Sequence, residues 1–310
     1  MNIYNHILQA KNDGNKLLAV LIDPDKFQLK NALQFIDKVN KSIITHIFIG
    51  GSEVGQNVTQ QLVEVIKMLT DLPIVLFPGD VTQISKDADA ILFLSLLSGR
   101  NPDYLIDKQV QAVPLLEKTQ LEVISTGYIL IESGKTTAVQ RVTNTLPLNR
   151  TDVDAITNTA KAGELLGKKL IYLEAGSGAT YEVPAEVISS VKNKIDIPLI
   201  VGGGIRTKRQ IENAFIAGAD LVVIGTAFEE GSGSPDVWSS QLDDDFGYTQ
   251  IFKTSAEMTN TAIATNYRGY ANEWNRIWNL KLREHKVDIE RAMLFSMRAR
   301  SNSVQYSEGL

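Results

Sequence analysis

The chain has no cysteine, and that one absence removes disulfides, zinc–thiolate centres and thiol nucleophiles together. Histidine is scarce: His6, His46 and His285 are the whole supply, and no two stand at the spacing of a ligand pair. A histidine-centred triad or zinc site is therefore disfavoured. No apolar run approaches ~20 residues, so no segment reads as a spanning helix. The opening stretch, MNIYNHILQAKNDGNK, has neither a basic flank nor a long apolar centre, so no signal peptide is read and a cytoplasmic location is expected. A net charge of −5 offers nothing to a polyanion, and no nucleic-acid partner is expected.

What is present is ordinary material for a folded core, with 44% hydrophobic and 22% charged residues in 310, enough for one barrel plus an extra segment. Short apolar runs recur at 17–22, 46–49, 74–77, 90–94, 122–131, 169–173, 197–201 and 221–224. Helical spacing fits 29–39, 58–69, 103–116, 154–166 and the residues after Thr207, a candidate N-cap. Between the third and fourth runs the chain is too short for a full crossover helix, so the third crossover is expected to be shortened. The polar stretch 132–150, with several Thr and Asn, reads as an exposed hairpin or loop.

Strands alternating with helices indicate a parallel α/β fold. Glycine and polar residues gather after strands 1, 2, 3, 6, 7 and 8, and they converge on one rim only if the sheet closes. That favours a (β/α)8 TIM barrel over an open, doubly wound sheet.

The most informative stretch is 197–228. Gly202-Gly203-Gly204 follows one strand and Gly225-Thr226 the next. Two successive turns with bare backbone favour a phosphate cup over glycines that serve only tight turns, the reading that one such turn alone would favour. Asp23, at the end of the first strand, is either a magnesium ligand or the turn-former before Pro24. Ser52 could add a hydroxyl to the same ion or cap the next segment. Glu174 closes an apolar strand, where a charged group needs a partner or a polar mouth, so it is a candidate to hold a substrate hydroxyl and take its proton. Tyr172 shares its side of the strand, facing either ligand or core. Ser177 and Gly178 begin a turn able to donate to phosphate. Arg206 is the nearest cation to the glycines, facing either ligand or solvent. On these residues alone, a phosphate-binding isomerase or lyase with Asp23 and Glu174 as its acid–base pair remains open.

The ordered set LIDPDK (21–26), GGSEVG (50–55), FPGD (77–80), TGYI (126–129), YLEAGSGA (172–179), VGGGIR (201–206) and VVIGTAFE (222–229) resembles the geranylgeranylglyceryl phosphate synthase family, which includes the bacterial heptaprenylglyceryl phosphate synthases. The resemblance spans residues 1–230. It implies an Mg2+-dependent prenyltransferase joining sn-glycerol 1-phosphate to a polyprenyl diphosphate, in a homo-oligomer. By motif position it implies magnesium at Asp23 and Ser52, and glycerol 1-phosphate at Tyr172, Leu173, Glu174, Ala175, Gly176, Ser177, Gly178, Gly203, Gly204, Gly225 and Thr226. The prenyl tail is expected beside residues 94–97 and Tyr104.

Residues 231–236 read as a linker. The segment 237–310 changes character: it is expected to be mostly helical, with an amphipathic helix near 272–297 whose Trp274, Trp278, Leu282, Ile289 and Met293 share a face. TQIFKTSAEMTNTAIAT and EHKVDIERAMLF resemble a fragment of tailed-phage major capsid proteins. The segment is read as a substitute for the last barrel helix, as an interaction piece, or as an unrelated piece joined to the barrel. A tail-led structural role is the reading outside enzymes.

Overall fold

The computed structural model describes residues 2–51, 54–55 and 57–226, together with the backbone of 299–300 and 305–306. The chain divides into two units, Met1–Leu242 and Asp243–Leu310. In the second, Ala299–Arg300 pairs antiparallel with Gln305–Tyr306. The expected amphipathic helix near 272–297 lies outside the described residues.

In the first unit the elements are α1 (Ile3–Asp13), β1 (Leu17–Ile22), α2 (Ala32–Asn40), β2 (His46–Ile49), α3 (Val58–Lys67), β3 (Ile74–Leu76), β4 (Ala90–Leu96), α4 (Lys108–Leu116), β5 (Glu122–Leu130), α5 (Ala138–Thr143), α6 (Val153–Leu165), β6 (Leu170–Glu174), α7 (Ala185–Lys194), β7 (Leu199–Gly202), α8 (Lys208–Ala217) and β8 (Leu221–Gly225). The eight strands are parallel, run in chain order, and close where Leu17 to Leu21 pair with Leu221 to Gly225.

The strand sequences explain the closure. Each alternates two buried sets rather than one buried and one wet set. Leu18, Val20 and Ile22 of β1 join the outer layer with Phe35, Ile36 and Val39 of α2. Ala19 joins the barrel interior with Phe48, Val75, Ile124, Tyr172 and Ile200. The interior is stoppered at the strands' amino ends by Ile3, Ile7 and Ala10 of α1, spaced along one helix face. Glu122, at the start of β5, accepts the backbone N–H groups of Ile3 (2.5 Å) and Tyr4 (3.0 Å), two donors that open the helix. His6 on α1 stacks on His46 at 5.3 Å. Burial, then His6, pushes His46 down to about 3, so it is a neutral core imidazole.

The shortened third crossover is present: the chain between β3 and β4 carries one 3-10 turn, Val81–Gln83. Thr207 caps α8 in a capping box with Gln210. The stretch 132–150 is not an exposed hairpin. It contains α5, and Ser133, Thr137, Thr143 and Thr145 are buried. Its hydroxyls are used locally: Thr137 accepts from the Gln140 N–H, and Thr143 donates to the Val139 carbonyl at 2.7 Å. The helix read over 103–116 begins as a π-helical turn, Asp103–Asp107, before α4.

Candidate active site

The alternation that fills the barrel also selects what reaches its mouth. Counting inward positions to the carboxyl ends gives Asp23 after β1, Phe77 after β3, Tyr128 on β5, and Tyr172 and Glu174 on β6. Phe77, Tyr128 and Tyr172 form an aromatic floor with ring separations of 5.1 to 5.8 Å. Above it opens a cleft of about 1340 Å³ that brings Asp23, Glu174, Gly178, Gly203 and Gly225 to one space.

At one end the backbone is bare. The N–H groups of Ser177, Gly178, Gly203 and Gly204 find no acceptor among the described residues. Four amides facing a cleft form an anion seat. Gly203 has to be glycine on two counts: its φ is +79°, and a Cβ there would lie 2.1 Å from Glu174 Oε1.

Glu174 is 5% exposed, and its Oε1 accepts the Gly176 N–H at 2.7 Å. Burial raises its pKa to about 7, while the Gly176 N–H and the Tyr172 hydroxyl pull the other way. That hydroxyl lies beside the carboxylate, close enough to weigh on its ionisation, yet it has no partner in good hydrogen-bond geometry. Burial, and then the charge of Glu174, raises both Tyr172 and Tyr128 well above the ordinary phenol value, so both remain protonated. A carboxyl near neutrality beside an anion seat can hold a hydroxyl and accept its proton.

At the other end Asp23 pairs with Lys26 at 3.0 Å, and its Oδ1 accepts the Asp25 N–H at 3.2 Å. A Cβ at Gly51 would stand 2.9 Å from that oxygen, so the missing side chain leaves a cradle against the carboxylate. Gln83, buried in the short third crossover, braces this side: it accepts from Gly51 N–H (3.3 Å) and Gly79 N–H (3.2 Å) and donates to the Gly51 carbonyl (2.8 Å). Asp80 and Lys108 pair at 2.5 Å on the cleft wall. Burial works to raise Asp80, but hydrogen bonds from Lys108 and Thr82 outweigh it and hold its pKa below the usual value. Among the described residues no three His, Asp or Glu side chains gather to cage a metal.

From the aromatic floor a mainly apolar lane runs along β4, α4 and α5, lined by Leu94, Leu96, Tyr104, Ala112, Val139 and Val142, with Lys108, Gln109, Arg141 and Thr143 among them. The Tyr104 hydroxyl donates to the Val142 carbonyl at 3.3 Å and ties the π-helical turn to α5.

Of the residues singled out from sequence, Asp23, Tyr172, Glu174, Gly176, Ser177, Gly178, Gly203, Gly204, Arg206, Gly225 and Thr226 line this cleft. Leu173 and Ala175 do not: strand alternation turns them into the outer layer against the helices. Leu97 departs from the expected trough for the same reason, packing toward Gly127 and Gly163. Arg206 donates to the Ala179 carbonyl at 2.6 Å. Ser52 lies outside the described residues. Sequence reading missed Gln83, Lys108, Tyr128, Lys135 and Arg141. Only Tyr128 left a trace, inside the TGYI motif.

Fold and mouth together define a class: a closed (β/α)8 barrel whose strand ends seat an anion beside a buried carboxyl. The chain belongs to the PcrB family, whose model matches residues 12–240. It is 60% identical over 230 residues to the geranylgeranylglyceryl phosphate synthase of Flavobacterium johnsoniae, covering 74% of this chain and 95% of that protein. It is 52% identical over 229 residues to the protein of the same name in Zunongwangia profunda, covering 74% and 97%. Among solved structures it resembles the (S)-3-O-geranylgeranylglyceryl phosphate synthase of Thermoplasma acidophilum in complex with its substrate sn-glycerol-1-phosphate. That similarity has a TM-score of 0.69 and 34% identity, over 73% of this chain and 91% of that one.

Proposed function

We propose that this chain is a prenyltransferase that joins sn-glycerol 1-phosphate to a polyprenyl diphosphate, giving 3-O-prenylglyceryl 1-phosphate and diphosphate. The observation that carries the reading is the shape of one cleft: free amides and Glu174 at one end, Asp23 at the other, and an apolar lane leading away. Membership of the PcrB family, and the names of relatives more than half identical, support it.

The glycerol phosphate sits with its phosphate on the amides of the β6 and β7 turns, beside Gly225 of the β8 turn, and with its C3 hydroxyl at Glu174. The hydroxyl oxygen attacks the first carbon of the prenyl chain, the bond from that carbon to the diphosphate oxygen breaks, and the proton passes to Glu174. Holding both ends of a small substrate fixes the attacking oxygen, which is where most of the gain from positioning lies. The aromatic rings of Phe77, Tyr128 and Tyr172 keep water from the reacting carbon. An isomerase or lyase of a phosphorylated metabolite would have no use for the apolar lane.

Magnesium is part of the proposal. The donors fit an ion held jointly with substrate: the Asp23 carboxylate, the cradle left by Gly51, and no protein cage among the described residues. Mg2+ keeps several waters and takes phosphate oxygens, so Asp23, with Ser52, would suffice as protein ligands. When bound, the ion neutralises the departing diphosphate. A cytoplasmic location and a homo-oligomer belong to the same reading. Among the described residues no helix is long and apolar enough to cross a membrane.

The test is incubation of purified protein with radiolabelled sn-glycerol 1-phosphate and prenyl diphosphates of several lengths. An ether product with release of diphosphate is expected, abolished by chelator and restored by Mg2+. No product at any chain length would refute the reaction, and full activity in chelator would refute the metal.

A further inference from the structure

The stretch 132–150 is tied to the turn after β6 at several points. The Ser133 carbonyl accepts the N–H groups of Thr180 (3.0 Å) and Tyr181 (3.1 Å). Gly134 lies against the Tyr181 ring, where a Cβ would come within 2.7 Å of a ring carbon, and the Arg150 guanidinium sits 4.7 Å from the same ring's centre. Thr137 covers Gly176, where a Cβ would meet its methyl at 2.4 Å. These ties bracket Lys135 on both sides and fix its backbone over the anion seat.

The Lys135 ammonium lines the cleft, 3.3 Å from where a Cβ at Gly178 would stand. Of the other three lysines lining the cleft, Lys26 is committed to Asp23 and Lys108 to Asp80, while Lys30 is not set against Gly178. Among the described residues Lys135 has no such partner. Its neighbour is instead Gly178, whose N–H, like that of Ser177, finds no acceptor among the described residues. An exposed ammonium and unpaired amide donors lining one space offer an anion several donors at once.

We infer that Lys135 completes the phosphate seat, its ammonium donating to the phosphate of glycerol 1-phosphate on the Gly178 side of the free amides. The inference rests on the headgroup reading above and extends it. The stretch 132–150 becomes part of the binding site, and Lys135 sets the preference for a dianionic phosphate over an uncharged polyol. By holding the phosphate it also positions the far hydroxyl at Glu174. A bond from a charged donor to a charged acceptor strengthens binding by roughly 10- to 100-fold.

The test compares wild type, Lys135→Ala, Lys135→Gln and Lys135→Arg. Titration calorimetry with sn-glycerol 1-phosphate and with inorganic phosphate is combined with steady-state rates varying each substrate. Lys135→Ala and Lys135→Gln are expected to weaken both phosphate ligands by about 10- to 100-fold. The KM for prenyl diphosphate should stay put, and Lys135→Arg should recover most of the loss. Unchanged phosphate affinity in Lys135→Gln, which keeps the packed stem should Lys135→Ala fail to fold, would overturn the inference. So would an equal rise in the prenyl diphosphate KM, which would hand Lys135 to the other substrate. Wild-type binding of glycerol 1-phosphate without ether formation would sink the reaction and leave Lys135 standing. Normal turnover with unchanged affinity in the variants would do the reverse.

Discussion

Glu174 ionises against its surroundings, and this makes it useful. A carboxyl with its folded pKa near 7, against 4.5 for the free group, is half-charged at neutral pH and strong enough as a base to take a proton from a hydroxyl. kcat/KM should rise as pH passes through about 7, and Glu174→Gln should abolish that limb and lower kcat by about 10²- to 10⁴-fold. The sign for stability is opposite. A raised pKa means the folded state holds the proton more tightly, so the stabilisation is complete below pH 4.5 and is lost as pH rises through about 7. The stability of Glu174→Gln relative to wild type should therefore grow by about 3 kcal/mol between acid and alkaline pH, read from urea unfolding. A constant difference would mean that the carboxyl is not buried as described. Gly203→Ala should lower stability by about 1–3 kcal/mol and weaken glycerol phosphate binding, because the new methyl falls on Glu174 Oε1 at a positive φ. At this scale the sequence was readable where a residue broke its strand's pattern, as Glu174 and Asp23 do. It was silent on Lys135, whose role depends on the carbonyl of Ser133 meeting amides nearly fifty residues away.

Among the elements, strands and most helices were legible because their burial follows spacing. Two were not. α1 carries its apolar residues in a polar-looking stretch, and only the open end of the barrel gives Ile3, Ile7 and Ala10 something to cover. The stretch 132–150 looked like a wet loop because Thr and Asn are common on surfaces. Thr137, Thr143 and Thr145 are instead buried, the first two bonded to nearby backbone and the third to the Thr143 hydroxyl. The shortened third crossover was readable from length alone, but its working part, Gln83, was not, since it bridges two turns distant in sequence. Gln83→Ala leaves the Gly51 and Gly79 N–H groups unpaired and should lower stability by about 1–3 kcal/mol, with a higher KM for the prenyl substrate. An unchanged melting curve would show that water replaces the amide at no loss.

Across the whole molecule, the closed barrel was inferred from where glycines and carboxylates fall, and the parallel eight-strand order agrees. Among the described residues the cleft is lined by positions from Val20 to Thr226, and the family match ends at residue 240. A chain ending at Leu242, the last residue of the first unit, should therefore turn over like the full-length protein. Loss of folding in that shorter chain would mean that the second unit supplies part of the barrel wall.

All these expectations share one spatial claim, that phosphate and hydroxyl of the same small molecule reach the bare amides and Glu174 together. A crystal structure of Glu174→Gln with sn-glycerol 1-phosphate tests it directly. The account predicts phosphate oxygens within hydrogen-bond reach of the Gly178, Gly203 and Gly204 N–H groups and the C3 hydroxyl at residue 174. Phosphate density beside Asp23, or none in the cleft at saturating ligand, would contradict it.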